Sequence, residues 1–522
     1  MTKGRTVAFL AALCCAGAAQ AVTVDVATTY QTIDGFGFFG PQTVWWGSSS
    51  PSAFYSDGWL ATVIDTLGTT IWRNEYYSEE SNQDANWAKQ LPAVTALYNK
   101  AVASGNPLKF IYSVWSPPSA MKCQGSNGCW GNPTSTPHPD GLKHGGTLCT
   151  DRHQDFADWL IEGIRKHEQA GIDLYALSFQ NEPAFCQYYN SCFYSYGYYT
   201  AVLAAIGPTI RAAYPNVKIF GAEHMLSANI HDGRSQFRYI YESNIMRNPD
   251  ALEYLDIWAY HGYSDGVNPI PGSEMATLWS LVRDSLARAT GRDRPVWMTE
   301  TSGYDDTWGA GGAQELAAAM FAALQYGNLA GWVHWYGADN WIDGNNNLTK
   351  RGHVAKHYSR FLRPGAVRVN VGPTGNDNVH VLAFTHDELN NFVVLALNTG
   401  GSSYNLSLTG SGVPSSFTHY RTSSADNCAD LGTVQAGAIT LTANSLNTLV
   451  NGSVHEGPTS IARARTPFAA PAPLAGRSPV YSLDGRRVGE ELRGLNGKAN
   501  RVLVSRNGLH LSTPGSPSSV RR

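Results

Sequence analysis

Two glutamates, each met as the chain turns out of a short apolar run, are the residues of this sequence best placed to do chemistry. Glu182 closes Leu177-Ser178-Phe179-Gln180-Asn181-Glu182-Pro183, and Glu300 closes Pro295-Val296-Trp297-Met298-Thr299-Glu300-Thr301. In a barrel of parallel strands such turns share one face, so residues distant in sequence can meet over one ligand. Two carboxylates across a narrow cleft are what hydrolysis of a glycosidic bond needs: one protonates the leaving oxygen, and the other attacks the anomeric carbon or activates water. A proton donor must keep its proton near neutral pH, which takes apolar surroundings or nearby negative charge. Leu177 and Phe179 provide the first, and Asn181 stands ready to bind a sugar hydroxyl beside the scissile bond. An attacking Glu300 must stay ionised, which takes donors. Arg73, ending Thr69-Thr70-Ile71-Trp72-Arg73-Asn74, is a cation at another strand end, and His261-Gly262-Tyr263 follows a further apolar run with an imidazole and a phenol. Taken singly, Glu182 reads as a helix-start acid, Arg73 as a surface ion-pair partner and His261 as a packed core residue. Their matching places at the ends of strands of one barrel favour one shared cleft.

The elements that must position them are legible as alternation. Eight short strand candidates lie at 33–39, 69–74, 109–114, 173–180, 217–222, 256–261, 295–300 and 331–336. Near-continuous apolar runs such as Phe110-Ile111-Tyr112-Ser113-Val114 suit strands buried on both faces of a parallel sheet. Helical stretches separate them. Phe156, Trp159, Leu160 and Ile164 form one apolar stripe with Gly171 as its stop, and Leu316, Met320, Phe321 and Leu324 form another before Gly327. This predicts a (β/α)8 TIM barrel over residues 33–361, an α/β fold. After Pro364 the chain carries closely spaced strand-like segments with Gly, Ser and Asn turns and no room for helices, which predicts an antiparallel β-sandwich over 362–452. Residues 22–32, which have no helix partner, would complete it at the barrel's side. A Pro/Ala-rich linker is expected over 453–480, and a small basic module over 481–522.

Composition narrows the function classes. The 522 residues are 43% hydrophobic with a formal net charge of -3, which allows a large core and gives no footprint for nucleic acid or an anionic membrane. The 15 Trp and 26 Tyr offer flat apolar bodies with polar tips, suited to sugar rings, although many such residues simply fill cores. Residues 1–21 read as a secretory signal peptide: Lys3 and Arg5, an apolar stretch from Val7 to Ala19, and Ala19-Gln20-Ala21 as the cleavage pattern. No later run is long enough to span a membrane, so a secreted protein is expected. Six cysteines remain after the leader, and Cys123-x5-Cys129 and Cys186-x5-Cys192 suggest two disulfide-pinned loops; a zinc site is the alternative, without a short Cys-x2-Cys pair to support it. Gly35-Phe36-Gly37-Phe38-Phe39-Gly40 matches a dinucleotide fingerprint, but Pro41 and an aromatic loop with Trp45 and Trp46 follow where a helix would have to open. No phosphate loop or metal motif is present, so cofactor-free, metal-free catalysis is expected.

The ordered set of strand-end residues resembles the clan A glycoside hydrolases, and most closely glycoside hydrolase family 30, across residues 22–450. The resemblance implies a catalytic barrel with a β-sandwich at its side, Glu182 as acid/base and Glu300 as nucleophile, with Arg73, Asn181, Tyr263 and Trp335 as supporting cleft residues. Trp115 with Ser116-Pro117-Pro118 is similar to the family's third-strand segment, and His261 lies in the same group. The run from Thr349 through Gly365 resembles the barrel-to-sandwich junction of bacterial xylan-degrading members. It implies a secreted retaining endo-glycosidase acting on a β-linked polysaccharide, foremost an endo-β-1,4-xylanase, with another β-glycan (β-1,6-galactan or β-1,6-glucan) or a glucosylceramide-like head group as alternatives. A non-catalytic carbohydrate-binding surface protein is the rival from another class. The loop after the eighth strand departs from glucuronoxylan-specific members: it has no arginine between Gly337 and Asn347 but carries Asp339 and Asp343, which would repel a glucuronate. The C-terminal residues resemble sorting or attachment modules of secreted bacterial enzymes, implying contact with secretion machinery or the cell surface; a solvated basic tail is the alternative.

Overall fold

The computed structural model describes residues 20–40, 56–78, 80–106, 108–123, 145–185, 189–226, 240–263, 273–290, 294–338 and 340–454, and short strands within 477–511. The apolar leader stretch, Trp45, Trp46, Cys129, Cys186 and Asp339 lie outside the described residues.

Strand β1 (Gln20–Thr32) precedes eight barrel strands: β2 (Gly35–Phe39), β3 (Ile71–Glu75), β4 (Lys109–Ser113), β5 (Leu174–Ser178), β6 (Lys218–Met225), β7 (Ile257–His261), β8 (Val296–Glu300) and β9 (Leu329–His334). Each pairs in parallel with its sequence neighbours, and β9 pairs with β2 to close the ring. Strands β2, β3, β7, β8 and β9 are buried at every position, as their unbroken apolar runs require when helices cover the outside and side chains fill the inside. Ile71, Ile111, Phe220, Ile257, Trp297 and Val333 belong to a core of their own within the ring. The glycines of the first strand serve close packing: a Cβ on Gly37 would lie 1.7 Å from the Ile71 carbonyl oxygen, and one on Gly40 1.9 Å from the Trp72 ring.

Helix Glu80–Ser104 covers the ring between β3 and β4, and His153–Gln169 buries Phe156, Leu160, Ile161 and Ile164 against it. The latter stops where Gly171 takes φ 76°, a conformation that costs glycine little. Helix Ala313–Tyr326 buries Leu316, Met320, Phe321 and Leu324.

The sandwich follows with β10 (Val367–Val371), β11 (Val379–His386), β12 (Asn391–Asn398), β13 (Tyr404–Thr409), β14 (Ser416–Thr422), β15 (Ala429–Gln435), β16 (Ile439–Leu441) and β17 (Ser445–Asn451). Strand order is β15-β14-β17-β12-β11-β10-β1-β13-β16. β1 joins the two parts: its first residues pair in parallel with β13, and its later ones run antiparallel to β10. The strand is longer than the segment expected to complete the sandwich, and it begins at Gln20, inside the cleavage pattern. A second apolar core, including Val22, Val24, Val369, Val394, Leu406 and Leu449, holds this unit together.

Barrel and sandwich are tied by Ile33, which exchanges backbone hydrogen bonds with Gly365 and Ala366 at 2.8 and 2.7 Å. Helix Lys350–Ser359 adds a buried bridge: His357 bonds Thr448 through Nδ1 at 2.6 Å and Thr422 through Nε2 at 2.8 Å. Burial drives this imidazole well below its ordinary pKa, so it sits neutral, with one nitrogen donating and the other accepting.

Cys123 is bonded to Cys149, with Cα atoms 5.1 Å apart, rather than to Cys129 as the spacing suggested. The reason is a short antiparallel pairing of Lys122–Cys123 with Thr147–Leu148, which brings Cys149 alongside. Cys192 and Cys428 are buried thiols. Beyond the sandwich, Arg477–Tyr481, Arg487–Arg493 and Ala499–Asn500 form a three-stranded sheet, and Val502–Ser505 pairs with Gly508–Leu511.

Candidate active site

All eight residues singled out in the sequence converge at the C-terminal mouth of the barrel, as strand polarity demands of side chains that follow parallel strands. Arg73, in β3 and fully buried, anchors the group. Its Nη1 donates to Glu300 Oε2 at 2.7 Å, its Nη2 to Asn181 Oδ1 at 2.7 Å, and its Nε to Ser113 Oγ at 3.0 Å. The Tyr263 hydroxyl donates to Glu300 Oε1, so each oxygen of this carboxylate has its own donor. His261 Nδ1 lies 3.0 Å from Glu182 Oε1 and 3.8 Å from Glu300 Oε1. One carboxylate oxygen from each of Glu182 and Glu300 and a His261 ring nitrogen lie within 4.8 Å of one another.

Glu182 reaches this position through backbone geometry. It adopts φ 47°, rare for a residue with a side chain, at the start of a turn in which Phe185 N donates to Glu182 O at 2.8 Å. Asn181 N is held by Val114 O at 2.7 Å, and Gln180 Nε2 by Trp115 O at 2.8 Å, so the segment after β5 is laced to the one after β4. Backbone conformations of this kind gather at functional sites, where the surrounding structure enforces them.

Sequence reasoning missed Glu223. This fully buried residue accepts from Arg73 Nη2 at 2.8 Å and from Ser113 Oγ at 3.1 Å, and its Oε1 lies 3.4 Å from His261 Nε2. It sits where pairing of β6 with β7 slips between Ala222 and His224, and it takes φ 54°. Such a bulge turns a side chain that would otherwise face outward into the barrel. The fifth of the eight strands read from the sequence stopped at residue 222, one short of it. The available signal was an acid at the C-terminal end of a buried run, the same signal that marked Glu182 and Glu300.

The charges lock together. Glu223 is held down at about 2: burial opposes this, but the Arg73 guanidinium and His261 outweigh it. His261 rises to about 9; burial works against the charged ring, and the Glu300, Glu182 and Glu223 carboxylates more than compensate. Glu300 is raised, first by burial and also by the Glu182 charge, while His261, Arg73 and Tyr263 pull the other way. The spacing of Glu182, His261 and Glu300 would also suit a metal ion. An imidazolium has no lone pair to give a metal, however, and Arg73 and Tyr263 already occupy the Glu300 oxygens, so this donor set fits proton transfer better than metal binding.

An aromatic wall flanks the carboxylates. Trp335 stacks on Phe39 with centroids 4.5 Å apart and planes within 8°, Trp115 meets Phe39 at 5.4 Å, and the Arg73 guanidinium lies 5.0 Å from the Trp115 ring. Phe39, which the sequence reading gave no part in the cleft, is the platform on which both tryptophans rest. In the loop after β9 the hydrogen bonds of its own turn hold the Asp343 carboxyl below its ordinary pKa, so it keeps its negative charge. Asp343 Oδ1 accepts from Asn345 N and Asn347 N at 2.9 and 2.8 Å within its own turn, and Arg351 reaches into the loop from the following helix to donate to Asn340 and to Tyr304 O.

No family profile matches the chain. It is 25% identical over 422 residues to glucuronoxylanase XynC of Bacillus subtilis (strain 168), covering 78% of this chain and 86% of that protein. It is 24% identical over 269 residues to endo-1,6-beta-D-glucanase neg1 of Aspergillus fumigatus, covering 50% of this chain and 52% of that one. Among solved structures, the glycoside hydrolase family 30 subfamily 8 xylanase Xyn30A of Clostridium acetobutylicum superposes with a TM-score of 0.64 at 23% identity, over 83% of this chain and 100% of that one. The endo-beta1,6-glucanase BT3312 superposes with a TM-score of 0.62 at 18% identity, over 83% and 94%. Barrel and side sandwich are thus the fold that this chain shares with the family 30 glycoside hydrolase structures it is similar to.

Proposed function

We propose that the chain is a secreted, retaining endo-β-1,4-xylanase. The observation that carries the reading is the closeness of Glu182 and Glu300, with oxygens within 4.8 Å. Carboxyl groups about 5–5.5 Å apart suit a double displacement, whereas inversion needs roughly 6.5–9.5 Å to seat a water between them. In the first step a Glu300 oxygen bonds to the anomeric carbon, the glycosidic C–O bond breaks, and Glu182 gives its proton to the departing oxygen. In the second, water attacks the same carbon, Glu182 takes a proton from it, and Glu300 leaves as carboxylate. Arg73 and Tyr263, one on each Glu300 oxygen, hold the attacker and receive its charge back on release. Arg73 and imidazolium His261 offset Glu223 and Glu300, so the buried group is neutral when Glu182 enters as the acid. Asn181 is the proposed partner for a sugar hydroxyl, and Trp115 and Trp335 the apolar wall for the sugar rings.

Xylan is favoured by the relation to XynC over most of both chains. A β-1,6-glucan is the second reading, supported by the relative named endo-1,6-beta-D-glucanase over half of each chain. Export is supported by the leader-like N-terminus and by the Cys123–Cys149 bond, since such bonds persist in oxidising compartments. Among the described residues no helix is long and apolar enough to cross a membrane. The strands at 477–511 are the proposed contact with secretion machinery or cell surface.

Incubation with a panel of purified β-glycans tests the substrate. The reading expects xylan to shorten to oligomers. Shortening of β-1,6-glucan alone moves the assignment to the second reading, release of single sugars makes the enzyme exo-acting, and no shortening of any polymer favours a binding protein on a barrel scaffold.

A further inference from the structure

The face of the barrel opposite the carboxylates holds a cavity of about 630 Å³ at the junction with the sandwich. Ligand pockets commonly run about 300–1,000 Å³. Lys218, Trp258, Val296 and Ala330 line it from the N-terminal ends of β6 to β9, whereas Glu182 and Glu300 follow the C-terminal ends of β5 and β8. Tyr30 of β1 stands at its rim, 40% exposed.

Its charge is lopsided. Lys218, Arg283 and Arg294 line it against a single lining acid, Asp34, which is already engaged by Lys109 at 3.4 Å and by the Trp297 indole at 2.9 Å. Arg368 stands behind the rim with its guanidinium 3.8 Å from the centre of the Tyr30 ring. Its acceptors are amide oxygens, Gln31 Oε1 and Asn328 Oδ1, both at 2.8 Å. Lys218 donates to the Tyr175 hydroxyl at 2.7 Å. Among the described residues no carboxylate pairs with Lys218 or Arg368, and Arg283 has only its chain neighbour Asp284, at 2.8 Å. Positive charge gathered in a concavity with low-dielectric walls concentrates anions, and a guanidinium fork matches a carboxylate. A half-exposed tyrosine ring at the entrance supplies the apolar surface that a pyranose C–H face packs on.

We propose that this cavity is a second glycan-binding site, separate from the catalytic cleft, that takes a uronate-bearing polysaccharide by its carboxylate and holds the substrate polymer against the enzyme. The xylan reading supplies the polymer, but the site is argued from its own residues.

Calorimetric titration of the full chain carrying Glu300→Gln, with a xylo-oligosaccharide bearing one glucuronate and with the same sugar after its carboxylate is reduced to an alcohol, tests it. The acidic sugar should show one more binding event than the reduced sugar. Arg283→Gln should weaken that event at least about tenfold, the scale of one lost charge-assisted hydrogen bond, and leave the other unchanged. Lys218→Met, checked by its melting curve, should do the same if Arg283→Gln fails to fold. Equal stoichiometry for both sugars, no effect of either variant, or displacement of the acidic sugar by inorganic phosphate at equal concentration would each overturn the proposal. Loss of the neutral-sugar event alone would count against the xylan reading and leave the far-face site standing.

Discussion

Glu223→Gln separates a positioning role from a merely structural one. The side chain is fully buried and so cannot touch a sugar, yet it bonds Arg73 at 2.8 Å and faces His261 at 3.4 Å. The amide keeps an acceptor in place and removes one charge. Breaking a buried ion pair outright costs about 3–5 kcal/mol, but Arg73 keeps Glu300 as an ionic partner at 2.7 Å, so about 1–3 kcal/mol of stability should be lost. His261, raised to about 9 by burial-opposed attraction to three carboxylates, loses one of them. Its neutralisation should move the alkaline limb of the activity profile to lower pH by about 1. With Arg73 and His261 both less firmly set, kcat should fall about 10- to 100-fold, or about 1.4–2.7 kcal/mol of barrier, with KM little changed. The assay is steady-state hydrolysis of xylan against pH beside a thermal melt. A lower melting temperature with kcat and the alkaline limb unmoved would refute the reasoning and leave Glu223 a packing residue.

Glu182→Gln should cut kcat/KM on xylan about 10²–10⁴-fold but spare kcat/KM for substrates with activated aryl leaving groups, whose departure needs no proton, while turnover on both falls because the base of the second step is lost; equal losses of kcat/KM on both would remove its acid role. Stability should fall at high pH because His261 is raised: its contribution is complete below its ordinary 6.5 and lost as pH rises through about 9, a trend that thermal melts of His261→Asn should flatten. Glu242, buried and thereby raised to about 7, penalises the fold in the other direction: stability is complete below its ordinary 4.5 and falls as pH rises through about 7. Glu242→Gln should therefore raise the melting temperature at about pH 8 and not at about pH 4.5, and equal shifts at both would contradict the assignment. Cys123→Ser should cost about 3 kcal/mol, since the bond closes a loop with a sequence separation of 26; urea melts of the two proteins measure it, and equal midpoints would exclude the bond.

What the sequence made legible was set by periodicity and polarity. Strands buried on both faces read as unbroken apolar runs, so the eight barrel strands stood out, and parallel strands deliver their end residues to one face, so Arg73, His261 and Glu300 could be grouped before any contact was known. Glu223 escaped because a bulge has no signature in apolar alternation: the run at 217–222 looked complete, and the turned backbone at φ 54° carries the next side chain inward. The Cys123 partner escaped for a related reason, since pairing of Lys122–Cys123 with Thr147–Leu148 is set by tertiary geometry and not by spacing between cysteines. Phe39 looked like an ordinary barrel residue. Its role appears only when Trp115 and Trp335, from two other strand ends, are seen to rest on it.

The central claim is that Glu300 forms a covalent bond to the sugar while Glu182 serves the leaving group. Incubation with a 2-deoxy-2-fluoro xylobioside carrying a good leaving group, followed by proteolysis and mass spectrometry, tests it most directly. The account predicts one added glycosyl group per chain, on the peptide that contains Glu300, and none in Glu300→Gln. A label on another residue, or rapid turnover of the reagent with no label at all, would contradict it.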